Sequence, residues 1–298
     1  MEKKIEIGMD GIERIGKSYL VCADIALKTA ELILVSEKED ARLQSCYMAA
    51  FESDTNAVNY LRVFINSKDQ ESCKKLLEDA FQQYKGKDKD KDTSFYGSHA
   101  SGYTGENRSE LAINEPSKNM IYILRMLNGE FIDVLRKGVS AKAALGWTGT
   151  FMKDGIEFFL LYLFGGKSIP QGIARMIGMT KRAFGFTFEQ YAKGQTLEHG
   201  GDDDLLFYDC FLRWKDTAVS DDSDKKKMLE KRVDGIMDAN RRNYYGECAA
   251  FIAAVGEVKE SYGKAGEKQR YMESYKNKYS KRSAFRAELE HYGWIRCR

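Results

Sequence analysis

The chain has 298 residues, of which 43% are hydrophobic, 31% are charged and only two are proline. That apolar share excludes global disorder, and so little proline argues against a strand-rich fold with many turns. Net charge is only +2 but uneven: residues 225–298 hold 18 Lys/Arg against 10 Asp/Glu, a net of +8, which leaves −6 for the preceding 224.

In chain order, Ile12, Ile15, Tyr19, Ala23, Ala26, Ala30 and Ile33 recur every three or four residues and predict one long helix from Met9 to Val35. Lys4 to Met9 is the one stretch that could be read as a strand. Glu37 to Asp40 breaks the pattern, and a second helix follows with Leu43, Cys46, Tyr47, Ala50 and Phe51 inward. Ser53-Asp54-Thr55 is a stop and N-cap signal. The next helix carries Val58, Leu61 and Phe64, and Asp69 opens another with Cys73, Leu76, Leu77, Ala80 and Phe81. Residues 1–84 thus read as helical hairpins, with small residues such as Ala26, Ala30 and Ala49 permitting close approach.

Residues 85–118 are charged, then rich in Gly, Ser and Tyr, and are expected to form an inserted loop. The helical pattern resumes at Asn119 and runs into the most hydrophobic stretch, Leu145 to Leu163. Gly165-Gly166 ends a helix, Pro170 sits near the start of the next, and Lys193 to Asp204 reads as a loop before a helix at 205–214. Residues 216–227 link to a basic part with helices near 228–240, 242–262, 265–280 and 282–291, which Gly256 and Gly263 would interrupt. The expected fold is all-α: stacked antiparallel helix pairs in an α-solenoid, divided as 1–84, 85–118, 119–215 and 216–298 along one continuous array. The alternative is an irregular helical globule.

Cys22, Cys46, Cys73, Cys210, Cys248 and Cys297 are scattered without a CxxC and several sit among apolar residues, which predicts buried free thiols in a reducing compartment. The N-terminus lacks a basic-then-apolar signal, and the run Ile156 to Phe164 is too short to cross a bilayer. A cytoplasmic protein without membrane partners is expected.

Gly11-Ile12-Glu13-Arg14-Ile15-Gly16-Lys17-Ser18 matches the phosphate-loop pattern GxxxxGK[ST], in which Lys17 would meet phosphate oxygens and Ser18 a magnesium ion. Bulky residues in its crown and the apolar helical stripe favour plain helix instead. Arg286 and His291 fit R-x4-H, the pattern of HEPN ribonucleases, where histidine could act as general acid or base and arginine stabilise the phosphate. Glu198, His199 and Asp202 to Asp204 could gather a metal, but acidic residues before a helix also cap it. The capping reading is preferred, so neither metal nor cofactor is expected. Lys268, Arg270, Lys276, Lys278, Lys281 and Arg282 interleave with Tyr271, Tyr275 and Tyr279, a combination that can hold RNA or single-stranded DNA. The tyrosines recur every four residues, however, as a buried stripe would.

Phe51 to Arg62, Ala144 to Thr148 and Lys278 to Leu289 together resemble the helical-repeat regions, similar to tetratricopeptide arrays, of large uncharacterised bacterial proteins. Some of those carry a SWIM-type zinc finger, whose cysteines and histidine are absent here. The resemblance implies the fold and a scaffold role, without zinc or DNA. The reading is a non-enzymatic helical scaffold binding a protein or peptide; the alternative is nucleic-acid binding or HEPN-like RNA cleavage by the basic C-terminal helices.

Overall fold

Two helices form where the apolar spacing predicts one. The computed structural model describes residues 1–16, 19–36, 41–84, 115–130, 151–197, 202–216 and 244–295, with the side chains of 118, 151–154 and 156 left aside. Helix α1 (Glu2–Ile15) stops at Gly16, whose φ of 80° and ψ of 151° leave the helix in an extended, positive-φ conformation that glycine adopts without strain. Helix α2 (Leu20–Val35) then runs back along it. Gly8 lies against Thr29, Gly11 against Ile25, and the Cys22 Sγ approaches the Ile12 carbonyl at 3.9 Å, so residue numbers fall on one helix as they rise on the other. The stretch Lys4–Met9, a strand candidate, is helical. Ile5 is fully buried while Ile7 is 63% exposed; a strand would put both on one face, whereas a helix separates them by about 200°.

Helix α3 (Arg42–Ser53) runs in the direction of α1, with Arg42 paired to Glu2 at 2.7 Å and Cys46 beside Met9. Helices α4 (Ala57–Ile65) and α5 (Gln70–Phe81) follow, the latter passing into a 3-10 turn, Gln82–Tyr84. The chain does stop at Ser53-Asp54-Thr55, but the cap of α4 is Asn56, whose side chain accepts the Asn59 amide at 2.8 Å. Asp69 caps α5 and Ser117 caps α6 (Lys118–Leu127) in the same way. The further helices are α7 (Phe151–Leu163), α8 (Gln171–Phe184), α9 (Phe188–Ala192), α10 (Asp203–Lys215), α11 (Tyr245–Ser261), α12 (Glu267–Lys278) and α13 (Ser283–His291). Among the described residues there is no β-strand, so the fold is all-α.

The packing divides the chain into two compact units: residues 1–131 with 184–219, and residues 132–183 with 220–298. These do not follow contiguous segments, since 119–215 contributes to both. In the first unit each of α1 to α4 packs on the next, and α4 also meets α6, α9 and α10. Every residue of α4 is buried, and burying a side chain such as Leu61 or Phe64 contributes about 1.5–3 kcal/mol. The single Tyr60 hydroxyl proton on α4 is shared between Asn128 Oδ1 at 2.8 Å and the Leu127 carbonyl at 3.1 Å; Trp214 Nε1 donates to that same carbonyl at 3.0 Å. These bonds satisfy a carbonyl at the C-terminal end of α6, which has no intrahelical donor, inside the core.

In the second unit α11 is the buried centre, packed on α7, α12 and α13. Gly256, expected as an interruption, lies within an unbroken helix. A Cβ there would come within 3.0 Å of Lys268 Cβ and 3.1 Å of Lys268 N, and nearer still to its Cα. Glycine is needed because α12 lies that close. Gly263, at φ 80°, does end α11.

Candidate binding faces

Two charged clusters are consumed in holding helices together. In the second unit Glu257 on α11 is 3% exposed. Its carboxylate accepts the backbone amides of Gly172 and Ile173, at 3.1 and 2.8 Å, and the Lys268 ammonium at 2.7 Å. The amides opening a helix lack intrahelical partners and carry partial positive charge, so a buried carboxylate belongs there. In the first unit Arg62 is 1% exposed. Its guanidinium donates to Asn59 Oδ1 and to the carbonyls of Gln190 and Tyr191 that close α9. Asn59 Nδ2 in turn donates to the Ala50 and Asp54 carbonyls at the end of α3, at 3.3 and 2.7 Å. Phe51 to Arg62 therefore encodes a polar clamp on two helix ends.

The basic residues of α12 and α13 are largely engaged in local contacts. Lys268 pairs with Glu257; Arg270 pairs with Glu267 at 2.8 Å and Lys276 with Glu273 at 2.8 Å, both one helical turn apart. Arg282 donates to the Tyr245 hydroxyl at 2.7 Å, and Arg286 to the Ser280 carbonyl at 3.0 Å. Lys278 and Lys281 are exposed, with the Lys278 ammonium 5.4 Å from the Tyr279 ring centroid and 5.9 Å from that of Tyr275. Tyr275 is buried and edge-on to Tyr271 at 5.2 Å, while Tyr279 is edge-on to Phe285 at 6.2 Å. Of the stripe, Tyr275 packs inward, and Tyr271 and Tyr279 are half-buried against their ring neighbours.

His291 is the last residue of α13, exposed and edge-on to Tyr292. Five residues along a helix turn about 140°, so Arg286 and His291 leave α13 on different faces. Gly11 to Ile15 form the last turn of α1, which commits their backbone to the helix rather than to a phosphate loop. Lys17 and Ser18 lie outside the described residues, as do Glu198, His199, Cys297 and the predicted helix at 228–240. Asp202 caps α10, its carboxylate accepting the Asp204 amide at 2.8 Å. Cys22, Cys46, Cys73, Cys210 and Cys248 are buried free thiols, and burial pushes the Cys210 thiol up to about 11. No described helix is long and apolar enough to cross a membrane.

One basic face escapes a reading that looks only for cation-rich segments. Helix α8 buries Ile173, Met176, Ile177 and Thr180 and turns Ala174, Arg175 and Arg182 to solvent, with Gly178 half-buried between the two arginines. No Asp or Glu lies between Glu157 and Glu189, so α8 cannot neutralise its own cations as α12 does. That gap in acids is visible in the sequence; which side of α8 meets solvent is not. The second unit holds 26 Lys/Arg against 16 Asp/Glu, a net of +10, and the first 21 against 29, a net of −8.

No protein-family model, curated protein or solved structure matches the chain.

Proposed function

We propose that this chain is a non-enzymatic scaffold of stacked antiparallel helix pairs that binds a protein or peptide partner. The observation that carries the reading is the use made of its buried charges. Arg62 closes α9 while Asn59 holds the end of α3, and Glu257 with Lys268 opens α8, so each acts on helix ends. Such groups fix the relation of one helix to the next, which is what a scaffold requires of its interior. The antiparallel α1–α2 hairpin and the stepwise packing of α1 to α5 support the stacked arrangement.

Nucleic-acid binding through α12 and α13 is the second reading, favoured by exposed Lys281 and by Lys278 beside the Tyr279 ring. The two separate by selection of displayed random peptides on the immobilised full chain, alongside anisotropy with a labelled short RNA. A reproducible peptide consensus with little RNA affinity is the expected result. RNA binding that falls steeply with salt, and is lost in Lys278→Gln/Lys281→Gln, would replace the scaffold reading with the nucleic-acid one.

A further inference from the structure

Arg175 and Arg182 stand seven residues apart on α8, nearly two full turns, so they share a face about 10 Å apart along the axis. Both are exposed, and neither forms an ion pair with a described residue. Between them Gly178, without a side chain, keeps the helix surface low, and Glu257 holds the start of α8 in place through Gly172 and Ile173.

We propose that this stripe docks an acidic helix of a partner protein, which rests on the scaffold reading and names the partner's chemistry. Small residues on one helix let a second lie close, and guanidinium groups at either end meet carboxylates in a planar, two-bond geometry that lysine cannot reproduce. A partner helix bearing two carboxylates one heptad apart presents both to Arg175 and Arg182 while its backbone rests over Gly178. The +10 charge of this unit steers such a partner towards it. A nucleic acid fits less well. A single strand is held by stacking on rings, and the outward positions 174, 175, 178 and 182 carry none.

The test uses the full chain and four labelled probes: an alanine-based helical peptide with two glutamates one heptad apart, its glutamine and lysine counterparts, and a short mixed-sequence RNA. The lysine peptide serves only the charge-swapped variant, and the wild-type comparison is among the other three. Wild type binds the glutamate peptide in preference to the other two. Arg175→Gln/Arg182→Gln weakens that binding at least about tenfold, while Lys278→Gln/Lys281→Gln changes it less than about twofold. Both positions of α8 are exposed, and Arg175→Glu/Arg182→Glu guards against a folding artefact: it should bind the same peptide with lysines in place of the glutamates. The proposal is overturned if the glutamate peptide binds no better than its glutamine counterpart, if the arginine changes leave its affinity intact, or if the charge-swapped pair fails to bind. RNA binding lost in Arg175→Gln/Arg182→Gln would also overturn it. A displayed-peptide consensus without acidic residues would leave the scaffold reading standing and remove this one.

Discussion

Replacing Gly256 by alanine sets two opposed effects against each other, and the structure says which wins. Within a helix, alanine is better than glycine by about 1 kcal/mol. The added methyl, however, would meet Lys268 N at 3.1 Å and Lys268 Cβ at 3.0 Å, with the Cα closer. These are mainly backbone atoms of α12, so relief requires moving a helix rather than a side-chain tip. Overpacking costs about 1–3 kcal/mol, and more where backbone must shift. Moving Lys268 also loosens its 2.7 Å pairing with the buried Glu257, whose carboxylate would then be less well compensated. The net expectation for Gly256→Ala is a loss of about 1–2 kcal/mol. For a chain of this size that lowers Tm by about 2–8 °C. Gly11→Ala calibrates the measurement, because its methyl would meet only Ile25 Cγ2 at an ordinary 3.6 Å. It should gain about 0.5–1 kcal/mol. Urea unfolding followed by far-ultraviolet circular dichroism measures both. Equal or greater stability in Gly256→Ala would falsify the close α11–α12 contact.

Arg62→Met removes three donated hydrogen bonds, two of them to the carbonyls that close α9, and should cost about 2–4 kcal/mol; a urea midpoint unchanged from wild type would contradict the clamp. Glu257→Gln leaves Lys268 without its buried counter-charge and should cost about 2–4 kcal/mol. Glu257→Gln/Lys268→Met should then be less destabilised than the two single changes added together, and simple additivity in that double-mutant cycle counts against the coupling. Burial pushes the Tyr47 phenol up to about 12 and the Cys210 thiol up to about 11, and raises Tyr60 well above its ordinary range. Folding therefore favours their protonated forms. The resulting stability is complete below the unfolded values and is lost as pH rises through the folded ones. Ellipticity at 222 nm should hold to about pH 9 and fall between about pH 10 and 12; a chain still folded after its buried phenols ionise would refute the sign.

The helical character was legible because α5, α6 and α10 announce themselves by apolar spacing or by acidic residues such as Asp69 and Asp202 at their starts, whereas the Ser117 cap of α6 falls in the stretch read as a loop. The break at Gly16 was not, since the spacing of Ile12, Ala23, Ala26 and Ala30 stays in phase across a reversal. The positive φ of Gly16 is where the described backbone leaves the first rod. Gly256 misled in the opposite direction: a glycine required for close approach looks, in one dimension, like a glycine that ends a helix. The short helix α9 went unseen, being five residues held at its far end by Arg62 from a distant part of the chain. Glu257 likewise had no sequence signal, because its partners at 172 and 173 are some eighty residues away.

The candidate faces show the same difference between composition and placement. Residues 225–298 attract attention by their net charge, yet along α12 each turn supplies its own anion, Glu267 to Arg270 and Glu273 to Lys276. Exposed pairs of this kind contribute little to stability. Their carboxylates nevertheless stay within a turn of the cations, and an incoming anion must displace or tolerate them. Helix α8 contributes fewer cations to the total, but the acid-free run between Glu157 and Glu189 leaves no carboxylate on the helix to compete. What decides whether a positive charge is available is thus not how many lie in a segment. It is whether the sequence places an acid three or four residues away on the same face.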